Sequence, residues 1–300
     1  MNFRDLPVVL FLAGLWIQLC LVLLPSWQSQ SYYDYGWIIP PLILFFGFHR
    51  WLDESSTVTP GGGGGRGLWI LVILLTLGLL PVRIIEHVDI YWRFPLWVHA
   101  SLVLVVTHLT IAQFHGWKTS QALLPASLFI FLAVPLPSQI EQPFVNSLTK
   151  GVLEFTSFLL PISGYPIMIS GSSFIVQGEI LDVAEGCSGI RSFQSCIVAA
   201  LALGELARFS VTRRLVLLVL SLGLAVVTNS LRVFVLVQTA HREGRESMDA
   251  AHDGIGFWTT IITFSTIALV AWLLTLFSAA RPGKKTRSRR QLTPPPSQTT

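Results

Sequence analysis

The chain has 300 residues, of which 52% are hydrophobic and only 12% charged, with ten Trp and nineteen Phe. That balance excludes a soluble domain of this length and points to an integral membrane protein. The formal charge of +4 and the pI near 9.2 come mostly from one C-terminal cluster. They mark a tail beside anionic lipid and carry no nucleic-acid footprint.

Crossing a hydrocarbon layer takes about 20 helical residues. Apolar runs of this order fall near 6–24, 36–52, 68–86, 94–115, 121–136, 188–207, 213–239 and 254–279, which predicts eight spans. The fold class expected is an all-α polytopic membrane protein with both termini on one side. The first run begins almost at Met1 without a small-residue cleavage signal, so it reads as a retained anchor. After Ala280 the chain carries RPGKKTRSRR, with six Lys or Arg, and the positive-inside rule places it in the cytoplasm. Alternating from there, thirteen cations fall inside, among them Arg50, Lys118, Arg208 and Arg214, against five outside: Arg83, Arg93, Lys150, Arg242 and Arg245.

Between the second and third runs, Gly61 to Gly65 are five consecutive glycines with nothing to pack, which predicts a flexible cytoplasmic linker over about 53–67. The outer segment from Pro137 to Gly186 is more structured. Phe144, Leu148, Val152 and Phe155 recur at helical spacing beside Asn146, Lys150 and Glu154, which predicts an amphipathic interfacial helix over about 140–160. Pro161, Gly164 and Pro166 end it. A β-hairpin is expected next, with strands near 166–170, 173–177 and 179–184 around Gly171 and Gly178. The tail ends in PPPSQTT and cannot build a core. Three regions follow: a front five-helix membrane region (1–136), a catalytic-type region (137–280) and a basic tail (281–300).

Three reactive side chains lie at the ends of three different apolar runs on the predicted outer face. Cys187 stands at a loop-to-helix junction in Glu185-Gly186-Cys187-Ser188-Gly189, where helix N-terminal amides stabilise a thiolate. Gly186 and Gly189 would let a substrate backbone approach. Cys20 and Cys196, set among apolar neighbours, read as small packed thiols. Cys196 is nine residues beyond Cys187, about 13 Å along one helix, too far for a disulfide.

Arg232, in Asn229-Ser230-Leu231-Arg232, is an intramembrane arginine close to the outer end of its run. An arginine at a helix centre costs about 3 kcal/mol, so such a residue is functional or paired unless it snorkels to the headgroups. Asn229 shares its face and could orient the guanidinium or donate to a substrate carbonyl. His252 precedes Asp253-Gly254-Ile255-Gly256 at the predicted start of the last run, and its imidazole can move a proton. His241 competes for this role. Arg191, one turn beyond Cys187, is a second oxyanion donor or a counter-ion for Glu185 or Asp182. No metal-ligand spacing recurs, so neither a metal nor a cofactor is expected.

Together, AEGCSGIRS around Cys187, NSLR ending at Arg232 and AHDGIG containing His252 resemble the exosortase/archaeosortase family of membrane transpeptidases. The likeness is specific over about 180–260 and loose in the front half. It implies Cys187, Arg232 and His252 as catalytic residues, with Asn229, Ser188, Gly189, Arg191 and Asp253 in support. It also implies a bacterial inner-membrane enzyme with a periplasmic site. Its partners would be secreted proteins with a C-terminal sorting signal (a short motif such as Pro-Glu-Pro, a transmembrane helix and a basic cluster) and an acceptor nucleophile. An intramembrane cysteine protease would use the same residues with water as acceptor. The alternative from another class is a carrier or scaffold without covalent chemistry, and a carrier would show discontinuous helices and polar groups near the midplane.

Overall fold

The computed structural model describes residues 6–29, 32–55, 65–89, 92–165, 168–171, 173–176, 179–182 and 189–279. The chain is an all-α polytopic membrane protein with one small sheet. Its helices are α1 (Leu6–Ser29), α2 (Ile39–Ser55), α3 (Arg66–Leu77), α4 (Leu79–Val88), α5 (Phe94–His115), α6 (Trp117–Ser127), α7 (Ile130–Ala133), α8 (Ser138–Ile162), α9 (Ile190–Leu206), α10 (Val211–Glu243) and α11 (Arg245–Ala279). A 3-10 turn, Asp34–Ile38, links α1 to α2. Gly61 to Gly64 of the five-glycine run and all of the tail 281–300 lie outside the described residues.

By length and composition, five helical stretches among the described residues can cross a membrane: α1, α3 with α4, α5, α10 and α11. A sixth arises if α6–α7 and α8, bent by 80° at their junction, count as one. The sequence predicts eight. The difference lies partly in α2 and α9, each 17 residues and so about 25 Å long. It lies also in the run 121–136, which is not one straight helix.

That run breaks because Val134 adopts an extended conformation ahead of Pro135, and Pro137 caps α8 in the same way. Its freed backbone groups are met by side chains from the rest of the front bundle. Trp27 donates to the Ala133 carbonyl at 2.9 Å, Trp97 to Pro135 at 2.8 Å and Tyr35 to Leu132 at 2.6 Å. Arg93 donates to Leu136 at 3.0 Å and to Glu141 at 2.7 Å. The Tyr33 hydroxyl accepts the Leu136 N–H at 2.8 Å and donates to Glu141 at 2.6 Å. Irregular backbone is tolerated at such a place only when it is satisfied in this way.

The front core gathers around α5, which is apolar on nearly all sides and is the most buried of the long helices. Leu19, Leu23, Ile39, Val103 and Ile130 are among its fully buried members. A second core joins α8 to α10 and the sheet, and a third joins α9, α10 and α11 through Cys196, Leu217, Ala225 and Ile267. The front and rear halves meet at a charged junction. Glu205 of α9, 5% exposed, binds Arg50 of α2 and Arg214 of α10, while Arg208 pairs with Asp53.

The sheet is an antiparallel meander of β1 (Met168–Ser170), β2 (Ser173–Val176) and β3 (Glu179–Asp182). Phe174 of β2 is fully buried in the second core with Val152 and Leu160 of α8 and Val233 and Val237 of α10. The sheet is thereby fastened to the middle helix of the rear half.

Candidate active site

α10 and α11 form an antiparallel pair linked by a single residue, Gly244, in the left-handed region at φ 87°. Buried residues of α10 recur at Leu217, Ser221, Ala225, Asn229, Val233, Val237 and Ala240, a stripe whose early members Leu217 and Ala225 pack with α9 and α11 and whose later members Val233, Val237 and Ala240 pack with α8 and the sheet. Asn229 and Arg232 are one turn apart on this helix. Both side chains reach neighbouring elements.

Arg232 Nη2 donates to His252 Nε2 of α11 at 2.9 Å. A guanidinium has no acceptor, so the lone pair of Nε2 takes this bond and the ring proton stands on Nδ1. Nδ1 in turn donates to Asp253 Oδ1 at 3.0 Å, from a carboxylate that is fully solvated. Arg232 Nε is buried and has no hydrogen-bond partner among the described residues. It is a donor held ready in a half-buried site.

Asn229, 2% exposed, lies against Gly189. Gly189 is the N-cap of α9 at φ 78°, and a Cβ there would stand 2.7 Å from Asn229 Nδ2. Only glycine combines that backbone conformation with so close an approach. The amide of Asn229 thus rests on the residue that opens α9.

Two expected positions shift. His252 stands eighth in α11 and not at a helix start, because the polar stretch from His241 to Ala251 is helical apart from Gly244. Glu, Arg, Met and Ala are good helix formers whatever their hydropathy, so the two helices extend beyond their apolar runs. Likewise Arg232 lies eleven residues before the end of α10.

Cys187 and Ser188 lie outside the described residues, as does Glu185. Arg191 is mostly exposed, with Nε 3.7 Å from Asp34 Oδ2 in the α1–α2 turn. Its described ion pair therefore joins the two halves of the fold. Cys196 is buried and Cys20 half-buried, both as free thiols in packed clusters. Among the described residues no three His, Cys, Asp or Glu side chains converge as metal ligands.

The family model for transmembrane exosortase (Exosortase_EpsH) matches residues 27–276. The chain belongs to the transmembrane exosortase family. The match covers the front helices from α2 onward as well as the rear, whereas the motif resemblance was specific only to about 180–260. No curated protein and no solved structure matches the chain. Exosortase membership brings a cysteine-dependent membrane peptidase or transpeptidase, acting on secreted proteins with C-terminal sorting signals.

Sequence reasoning assigned no role to Gly256, although it lies one turn beyond His252 on the same face. Here the Arg232 guanidinium passes directly over it, with a Cβ at 256 falling 3.2 Å from Nη2. The four-residue spacing from His252 was the available signal.

Proposed function

We propose that this exosortase cleaves C-terminal sorting signals by a Cys187–His252–Arg232 mechanism and transfers the product to an acceptor nucleophile. The observation that carries the reading is the 2.9 Å contact between Arg232 and His252, made from separate helices with a buried guanidinium N–H to spare. Described elements before and after the Cys187 segment both contact α10. β2 anchors on α10 through Phe174, and Gly189, two residues after Cys187 and so within about 7 Å of chain reach, rests on Asn229.

In the reaction, His252 Nε2 takes the Cys187 thiol proton as sulfur attacks the scissile carbonyl carbon. Arg232 caps Nε2 in the resting site. The developing oxyanion draws the guanidinium across, which both stabilises the tetrahedral intermediate and exposes the imidazole lone pair. Collapse breaks the C–N bond, and the departing amine receives the proton from His252. The thioester then acylates the acceptor. Asp253 holds the Nδ1–H tautomer. Asn229, Gly189 and Ser188 shape the thiol loop, and Arg191 braces it from the α9 side.

The depth of the pair agrees with an interfacial reaction. Arg232 is 21 residues along α10 from Val211, about 32 Å, close to one hydrocarbon thickness. We assign that end to the periplasm of the bacterial inner membrane and both termini to the cytoplasm, with α2 and α9 as short crossings completing eight. Residues 1–136 would form the front groove for a substrate helix, 137–280 the catalytic region and 281–300 a lipid-facing tail.

The test is co-expression with a sorting-signal protein from the same genome, comparing wild type with Cys187→Ala at matched membrane levels. Processing only by wild type, with a hydroxylamine-sensitive adduct on the enzyme, supports the reading. Equal processing by both removes Cys187 as nucleophile. Water as the sole acceptor would make the enzyme a protease.

A further inference from the structure

We propose that Gly256 is the seat of the Arg232 guanidinium and so a positioning residue for the reaction, an inference that rests on the roles given above to Arg232 and His252. A Cβ at position 256 would stand 3.2 Å from Nη2, 3.3 Å from Cζ and 3.5 Å from Nε of Arg232. These three atoms span the guanidinium, so the group lies across the glycine Cα. Nη2 is the same atom that donates to His252. His252 and Gly256 are four residues apart on one face of α11, and the arginine therefore rests on the second while bonding the first.

The contact is tight enough to matter and soft enough to yield in one way. The three atoms nearest a methyl at 256 all belong to the far end of the long Arg232 side chain, so the guanidinium moves and the helix pair stays. With Nε lacking any hydrogen-bond partner among the described residues, one bond and this seat locate the group. Gly254 provides an internal control. It is exposed, it lies in the same turn, and a Cβ there meets nothing within 4 Å. Both glycines weaken the helix relative to alanine, so propensity alone predicts the same effect for both substitutions.

The experiment compares Gly256→Ala with Gly254→Ala in the full-length protein. The first readout is the 15N signal of His252 Nε2 in histidine-labelled protein, identified by its loss in His252→Ala; the second is processing kinetics. The seat predicts a displaced Nε2 signal and a fall in kcat of about 10- to 100-fold, with KM little changed, for Gly256→Ala alone. An unchanged Nε2 signal in Gly256→Ala, or the same shift in both variants, overturns the proposal. A displaced signal with unaltered processing supports the seat and instead removes the Arg232–His252 pair from the chemistry. Should Gly256→Ala fail to accumulate, the double variant with Arg232→Ala decides. Without the guanidinium there is no clash, so it should accumulate like Arg232→Ala, and its failure to do so overturns the proposal.

Discussion

Arg232 and His252 meet at 2.9 Å across the α10–α11 interface, and only the arginine can be the donor. The imidazole is thus held as one tautomer, with its reactive nitrogen covered by a cation. Arg232→Ala should lower processing by about 10²–10³, the usual loss for one oxyanion donor, and His252→Ala by about 10²–10⁴. Arg232→Lys should recover little, because an ammonium lacks the planar fork that touches His252 and Gly256 together. Wild-type turnover in Arg232→Lys would show that charge alone suffices there.

Cys187→Ala should abolish processing, whereas Cys20→Ala and Cys196→Ala should retain it, since both of these thiols are packing groups. Gel-based processing assays on the three variants check this. Loss of activity in Cys196→Ala at normal protein level would mean that the buried thiol of α9 has a chemical role.

Glu205 stands between Arg50 and Arg214 and joins three helices. Removing one partner from a buried ionic cluster leaves like charges facing each other and costs about 3–5 kcal/mol. Glu205→Ala should lower the unfolding temperature in detergent strongly, and Glu205→Gln, which keeps an acceptor, should lower it less. Equal melting of Glu205→Ala and wild type would show that α2 and α9 are held by apolar packing alone.

Burial, reinforced by its bond to the Glu141 carboxylate, pushes the Tyr33 phenol well above the ordinary range; burial and the nearby Asp34 do the same for Tyr35. Both groups stay protonated in the fold but ionise near pH 10 in the unfolded chain. Their contribution is therefore whole below pH 10 and falls as pH rises beyond it. Tyr33→Phe should be destabilised at neutral pH by about 1–3 kcal/mol, because the half-buried Leu136 N–H loses its acceptor and the buried Glu141 carboxylate loses a donor. It should also show a shallower alkaline loss than wild type in melting curves from pH 8 to 12.

Hydropathy located the long helices well, and the spacing of Phe144, Leu148 and Val152 located α8. Hydropathy missed where α10 ends and α11 begins. A polar helical turn and a polar loop have the same hydropathy, so the stretch from His241 to Ala251 read as a loop. The boundary before α8 was legible, since the apolar run ends at 136 and Pro135 and Pro137 interrupt a helix there, but not how its backbone is satisfied. Only Trp27, Tyr33 and Arg93, from distant parts of the chain, make that bend satisfiable. At the site, residue chemistry singled out Arg232 and His252, but their contact depends on the relative rotation of two helices. Gly256 was invisible because a glycine's use as a surface is defined by what lies on it.

Gly244 gives the α10–α11 turn a fixed angular phase. Each residue inserted or deleted between Gly244 and His252 would rotate the imidazole by about 100° about the α11 axis. A single insertion would carry it off the α10 face, while one of three or four residues would return it to nearly the same bearing, one turn away. The connection therefore acts as a gear with few teeth. Length variation tolerable in an ordinary loop would here disengage Arg232 from His252 without disturbing either helix.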